Sequence, residues 1–246
     1  MLLLLLTPSL IGAQKQQSDP IPQQSSKAPH AAYFANPSTL DAALLLAPPP
    51  APDSTTTQTE LALIHRVEQT RTAQQIAAAR ADDQEQDIFI FKDSLGQDFT
   101  AEKLPLTAAL SRHIHNDEGV VTKPLKNTFA RPRPFQSDST LKPVCALSKE
   151  PNSYPSGHTI SGYLMAFTLM QIVPEKQAQI MKRAEDYAHN RIVCGVHYPS
   201  DLDAGRDIAY LMFGYMLADP QFQKELAAAR EETRSRLGLP TAVSPS

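Results

Sequence analysis

An all-α, single-domain helical bundle is the fold this sequence predicts, and three observations carry the prediction. Apolar residues recur at helical spacing along most of the chain, and no pair of alternating runs gives a hairpin signal. The 246 residues, 41% hydrophobic and 20% charged, suit one domain with a sizeable core. The formal net charge of -3 leaves no global basic field to recruit a nucleic-acid polymer, so the cations that matter are those clustered in motifs.

Residues 1–13 are an apolar run ending in small residues, which reads as a secretory signal peptide cut near Ala13 and is too short to span a bilayer. No Lys or Arg precedes the run, which leaves a truncated or misassigned start open. Residues 14–30, rich in Gln, Ser, Pro and Ala, read as a disordered linker ahead of a helical domain over 31–237, with 238–246 a disordered tail. Within the domain, 33–46 is an arm that packs on the rest, and Pro48, Pro49 and Pro50 turn the chain into its first long helix. Residues 55–81 place Leu61, Leu63, Ile64, Val67, Ile76 and Ala77 at helical spacing with no Gly or Pro between them, so one long amphipathic helix is expected. Residues 87–91 are a short apolar helix or strand. A helix over 101–116 turns Leu106, Leu110 and Ile114 inward, and 120–129 leads Lys126 toward the site. His113 and His115, at the end of the first of these, suit a surface or dipole-interacting role better than metal ligation.

Pro134, Pro143, Pro151 and Asn152 make 133–154 a loop, the kind of segment in which specificity is set. From Ser156 the helix through Ile160, Tyr163, Leu164, Phe167, Leu169 and Met170 is apolar nearly all round and therefore buried. Pro174 starts the next, which faces Ile180, Met181, Ala184 and Tyr187 inward and delivers Arg191. A second buried helix over 201–217 and a charged terminal helix over 221–237 complete the bundle. Beyond the N-terminal run no stretch approaches 18 apolar residues, so no membrane span is expected and the mature protein is expected to be soluble, periplasmic or secreted.

The chemistry concentrates in Asn190-Arg-Ile-Val-Cys-Gly-Val-His197-Tyr-Pro-Ser-Asp201. Pro199 disfavours helical geometry at Tyr198 and suits a first helical turn itself, so His197 belongs on a loop and Asp201 on the following helix. An imidazole so placed donates one ring N–H to Asp201 and keeps the other nitrogen as a nucleophile or base. Taken alone, the pair also fits a surface histidine beside a helix-capping aspartate. Two upstream motifs change that balance. Lys126-Asn-Thr-Phe-Ala-Arg-Pro-Arg133-Pro134 supplies two spaced cations, and Pro155-Ser156-Gly157-His158 supplies a hydroxyl, a small residue and a second imidazole at a helix start. Phosphoryl transfer spreads charge over three equatorial oxygens, which several fixed donors must hold. Lys126, Arg133 and Arg191 are such cations, and Ser156 with the Gly157 N–H adds neutral donors at a helix N-terminus.

Lys126-x6-Arg133-Pro134, then Pro155-Ser-Gly-His158, then Arg191-x5-His197-x3-Asp201 resembles the three-part signature of the type 2 phosphatidic acid phosphatase superfamily. More narrowly the chain is similar to the bacterial class A non-specific acid phosphatases, exported soluble enzymes whose core is shared with vanadium haloperoxidases. The resemblance spans about residues 30–235, including the Leu-Leu-Leu-Ala-Pro-Pro-Pro run at 44–50. It departs at Asn190, where this signature usually has Ser; an amide still donates and accepts, so tuning rather than loss is expected.

The resemblance implies the same acid phosphatase fold and hydrolysis of small phosphomonoesters, with no cofactor and with assembly into a homo-oligomer left open. His197, oriented by Asp201, attacks phosphorus; Lys126, Arg133, Arg191, Ser156 and the Gly157 N–H hold the oxygens; protonated His158 donates to the leaving alcohol, and water then releases the phosphohistidine. No metal is required, because the protein's cations carry the charge that magnesium carries elsewhere. The alternatives are a vanadium-dependent haloperoxidase using the same cradle and a phosphate-binding protein without turnover. Arg131 is a candidate extra phosphate contact, Asp138 and Lys142 are candidates for the leaving group, and Arg206 with Asp207 reads as a charged stripe or ion pair. Cys145 and Cys194 form one bridge if the protein is exported, or remain two buried thiols. No Cys-x2-Cys or His-x3-His pair accompanies them, so no zinc site is expected.

Overall fold

Helix start and stop signals along the chain resolve into ten α-helices in a computed structural model that describes residues 31–35 and 42–240, with no strand among the described residues. The expected signal peptide (1–13) and linker (14–30) lie outside the described residues, as does most of the expected tail (238–246). The helices are α1 (Ala42–Leu45), α2 (Thr55–Thr70), α3 (Ala73–Gln84), α4 (Lys92–Leu95), α5 (Pro105–Phe129), α6 (Pro134–Ser137), α7 (Gly157–Ile172), α8 (Gln177–Val193), α9 (Pro199–Ala218) and α10 (Pro220–Arg236). Short 3-10 turns at Ile88–Phe91 and Pro174–Lys176 join α3 to α4 and α7 to α8. No helix among the described residues is long and apolar enough to cross a membrane.

Helix α7 is the hub because its sequence has no polar face to turn outward. Ile160, Leu164, Met165, Leu169 and Ile172 are fully buried, and the helix packs against α5, α8, α9 and α10. Truncating any of these five to Ala removes roughly 2–5 kcal/mol of stability, the usual range for a buried aliphatic side chain. Gly205 on α9 allows a close approach: a Cβ there would stand 2.9 Å from the Ser156 carbonyl oxygen. The first turn of α9 thus lies directly under the start of α7, and the Ser156 N–H donates to the Asp201 carbonyl at 3.0 Å.

Three helix expectations need correction. The single helix expected over 55–81 is two, because Thr72 caps a fresh start: its hydroxyl accepts from the Gln75 N–H and Gln75 reaches back to the Thr72 N–H. After that break the inward face is reset, so Ala79 and Asp82 are buried while Ala77 is exposed; Leu63, ahead of the break, is exposed as well. The helices expected over 101–116 and 120–129 are instead one, α5, which starts only at Pro105, runs through Pro124 and ends at Ala130 in the left-handed region (φ 41). Within α5, Leu110 and Ile114 face inward as expected, but Leu106 is exposed.

The continuity of α5 also removes the helix end expected at His113 and His115. His113 Nδ1 instead pairs with Glu225 Oε2 of α10 at 2.8 Å, and its ring stacks on Tyr33. The arm docks as expected, by a means the sequence did not disclose. The N–H groups of Tyr33, Phe34 and Ala35 all donate to the buried Asp117 carboxylate at 2.7, 2.7 and 2.8 Å.

Candidate active site

Four helix ends meet at one place: the C-termini of α5 and α8 and the N-termini of α7 and α9. Lys126 occupies the last turn of α5, Arg133 precedes Pro134 at the start of α6, Ser156 caps α7, Arg191 sits in the last turn of α8, and Asp201 lies in the first turn of α9. His197 is on the loop before α9, as Pro199 dictates, and is 1% exposed. Lys126, Arg133, Gly157, His158 and His197 line one cavity of about 550 Å3. Ser156, Arg191 and Asp201 are buried within the wall behind it.

The hydrogen bonds assign the His197 tautomer. Arg133 Nη1 lies 3.1 Å from His197 Nε2, and a guanidinium only donates, so Nε2 carries the lone pair. Nδ1 then carries the proton and donates to Asp201 Oδ2 at 3.1 Å. Burial holds the His197 imidazole well below its ordinary pKa, with Arg133, Lys126 and Arg191 adding to the shift, so the ring stays neutral.

Asp201 is held from every side. Its Oδ2 also accepts from Ser153 Oγ at 2.5 Å and the Tyr198 N–H at 2.9 Å, while Oδ1 accepts from Arg131 Nη1 at 2.6 Å. Arg131 in turn pairs with Glu60 at 3.0 Å and lies over the Tyr198 ring. The candidate role of Arg131 as a phosphate contact is therefore corrected: it is a buried support for the carboxylate.

Lys126 and Arg133 are restrained by neutral groups rather than by carboxylates. Lys126 Nζ donates to the Asn152 carbonyl at 2.6 Å, and Arg133 Nε donates to Asn152 Oδ1 at 2.8 Å, so one loop residue clamps both. Burial and the neighbouring Arg133 bring Lys126 down to about 8, and burial with Arg191 brings Arg133 down to about 10. Such depression marks a site that lacks anionic charge for the cations it holds. Arg191 Nη1 pairs with Asp83 at 2.6 Å, yet its buried Nε has no partner. Ser156 Oγ accepts from the Thr159 N–H at 3.3 Å and hydroxyl at 3.0 Å, leaving its own proton to donate.

His158 Nε2 lies 3.4 Å from the Asp83 carbonyl, and burial with the nearby Arg191 charge takes its pKa down to about 3. His158 is therefore neutral above that value. Asn190 does not face the cavity; its amide donates to Asp82 Oδ2 at 2.7 Å, which also holds Arg183.

Several residues whose type and spacing gave no signal belong to this arrangement: Glu60, Asp83, Glu118, Thr122, Asn152 and Ser153. Other candidates fall outside it. Asp138 pairs with His65 at 2.8 Å and bonds Thr140, and the Lys142 N–H donates to Glu68; neither lines the cavity. Arg206 pairs with Asp203 at 3.1 Å, the ion-pair reading for that stripe, while Asp207 is exposed. Cys145 and Cys194 are bridged, tying the loop before the active site to the end of α8.

Known proteins share this pattern. A model of the PAP2 superfamily matches residues 107–225. A non-specific acid phosphatase of Providencia stuartii is 32% identical over 208 residues, covering 81% of this chain and 84% of that protein. One from Salmonella typhimurium is 33% identical over 154 residues, covering 61% of this chain and 62% of its own. An acid phosphatase of Zymomonas mobilis is 30% identical over 201 residues, covering 78% of this chain and 75% of that one. Identity of this extent, with a family match that runs from α5 into α10, means that the chain belongs to the PAP2 superfamily, alongside proteins named non-specific acid phosphatase.

Proposed function

We propose that the chain is an exported acid phosphatase that hydrolyses small phosphomonoesters through a phosphohistidine on His197, without a metal ion. The observation that carries the reading is the assigned tautomer of His197: a lone pair on Nε2 at the cavity, a proton on Nδ1 held by Asp201, and two cavity cations, Lys126 and Arg133, without a carboxylate partner. Nε2 attacks phosphorus as the bond to the leaving oxygen breaks, and the Asp201 carboxylate stabilises the charge that the ring acquires. Lys126, Arg133, Arg191, Ser156 and the Gly157 N–H hold the three equatorial oxygens, work that a divalent cation does in other phosphoryl-transfer sites.

His158 serves as the proton donor to the leaving alkoxide and then as the base for the attacking water. Burial, with the Arg191 and Arg133 charges, holds the ring down to about 3; a bound phosphate offsets those charges, so the protonated form belongs to the phosphate complex. The Cys145–Cys194 bridge supports an oxidising compartment, consistent with a periplasmic or secreted enzyme.

Turnover of p-nitrophenyl phosphate near pH 5–6 is the test. Release of p-nitrophenol that survives EDTA, vanishes in His197→Ala, and leaves a phosphohistidine trapped by an alkaline quench is the expected result. Loss of turnover in EDTA with recovery on adding a divalent cation would remove the metal-free mechanism. Halide oxidation by peroxide after addition of vanadate, without phosphate release, would favour the haloperoxidase instead.

A further inference from the structure

One buried carboxyl of the cavity has no part in the reaction drawn above. Glu118, two turns before Lys126 on α5, is 5% exposed and lines the same cavity as His158 and His197. Lys123, Lys126 and Arg133 line this cavity, yet Glu118 makes no ion pair with any of them among the described residues. It approaches the head of α7 so closely that a Cβ on Gly157 would stand 2.8 Å from Glu118 Oε1. The glycine whose N–H is assigned to phosphate is thus also the residue that admits this carboxyl.

We infer that Glu118 is a further substrate-contacting residue: as a carboxylic acid it donates a hydrogen bond to a phosphate oxygen, and as a carboxylate it keeps phosphate out. The inference rests on the phosphatase reading. A second observation supports it, at the residue whose hydroxyl pulls on the Glu118 carboxyl. Thr122, one turn on, also lines the cavity and is 2% exposed, and its hydroxyl makes no bond of full hydrogen-bond geometry. Two neighbouring polar groups on one face of α5 are therefore buried toward the place where a ligand's oxygens would sit.

The protonation state follows from the surroundings. On its own helix Glu118 faces Thr122, Lys123 and Lys126; across the cavity stand Arg133, Glu150 and the two neutral imidazoles, and Tyr187 of α8 lies within electrostatic reach. Burial outweighs the pull of Thr122 and Lys126 and raises the carboxyl to about 7. On the acid side of that value the site presents a neutral donor. On the alkaline side it presents a charge that repels phosphate and engages Lys126, so the cradle loses a cation and gains an anion together.

The test is the pH dependence of kcat/KM for p-nitrophenyl phosphate, and of inhibition by inorganic phosphate, in wild type, Glu118→Gln and Glu118→Ala. At pH 5.5, Glu118→Gln loses about threefold in kcat/KM, since an amide is the weaker donor, whereas at pH 8 it exceeds wild type at least tenfold and binds phosphate at least tenfold tighter. Glu118→Ala raises KM at pH 5.5 about tenfold with a smaller change in kcat. Ionisation of phosphate itself is common to all three proteins and drops out of the comparison. Superposable profiles for wild type and Glu118→Gln, with turnover intact, would overturn the role of Glu118 alone. A wild-type protein that neither hydrolyses the ester nor binds phosphate would remove the phosphatase reading, and the inference with it.

Discussion

Arg131 Nη1 lies 2.6 Å from Asp201 Oδ1, on the side of the carboxylate opposite His197. The guanidinium therefore fixes the group that fixes the candidate nucleophile, and it does so from a fully packed position against Glu60 and Tyr198. Arg131→Met leaves two buried carboxylates unpaired, so a loss of about 3–5 kcal/mol in stability is expected, with a fall in kcat of at least tenfold. Arg131→Lys keeps the charge but not the fork, and falls between the two. Urea unfolding beside steady-state kinetics checks both; wild-type kcat in Arg131→Met would separate Arg131 from the orientation of Asp201.

Asn152 tests the cation clamp selectively. Its backbone carbonyl holds Lys126 and its side chain holds Arg133, so Asn152→Ala frees only the guanidinium. A bond to a charged group contributes roughly 1.5–3 kcal/mol, hence kcat/KM is expected to fall about tenfold or more. The loss should appear mainly in KM if Arg133 grips the ground state, and equally in kcat if its grip tightens in the transition state.

Asn190, the departure from the usual Ser, reaches Asp82 rather than the cavity. Asn190→Ala should therefore cost roughly 1.5–3 kcal/mol of stability while changing kcat less than tenfold. A change in kcat of a hundredfold or more would mean that the amide acts on the reaction.

The Cys145–Cys194 bridge closes a separation of 49 residues. The chain-entropy model gives about 4 kcal/mol for a loop of that length, an upper figure for the loss in the double Cys→Ser variant. Cys194 also caps α8 one turn after Arg191, so reduction is expected to raise KM as well as lower the urea midpoint. Equal midpoints with and without reductant would contradict this.

Stability against pH separates the buried groups by sign. His158, down to about 3, and His197, well below its ordinary value, stay neutral when folded, whereas the unfolded chain takes both protons below about pH 6.5. Their contribution is therefore intact above that pH and is lost as the pH falls. Glu118 works in reverse: the folded chain keeps its proton up to about 7, and the unfolded carboxyl releases it near 4.3, so stability drops as the pH rises through that window. Between pH 4.5 and 6.5, His158→Gln should show a shallower dependence than wild type by about 1.4 kcal/mol per pH unit, and Glu118→Gln a steeper one by about as much. Parallel curves in urea titrations would show ordinary pKa values at these sites.

Helix class, helix order and the loop position of His197 were legible in the residues alone, because each depends on local causes: apolar spacing, prolines at helix starts and capping side chains. Three motifs in sequence order likewise named Lys126, Arg133, His158, Arg191, His197 and Asp201. Where the expectation failed locally, a local rule had been outweighed. The Thr72 cap outweighs an unbroken apolar pattern, and Pro124 is accommodated inside α5.

The supporting groups were a different matter. Glu60, Asp83, Glu118, Asn152 and Ser153 have unremarkable neighbours in the chain, and only packing brings Glu60 against Arg131 or Asp83 against Arg191, at sequence separations of 71 and 108 residues. Burial decided the protonation states as well. An imidazole or carboxyl has its ordinary pKa in any sequence, and it departs from that value only when the fold takes it out of water and sets other charges beside it. Residue types and short spacings thus announced the chemistry, and long-range packing set which side chains carry protons and which are held still.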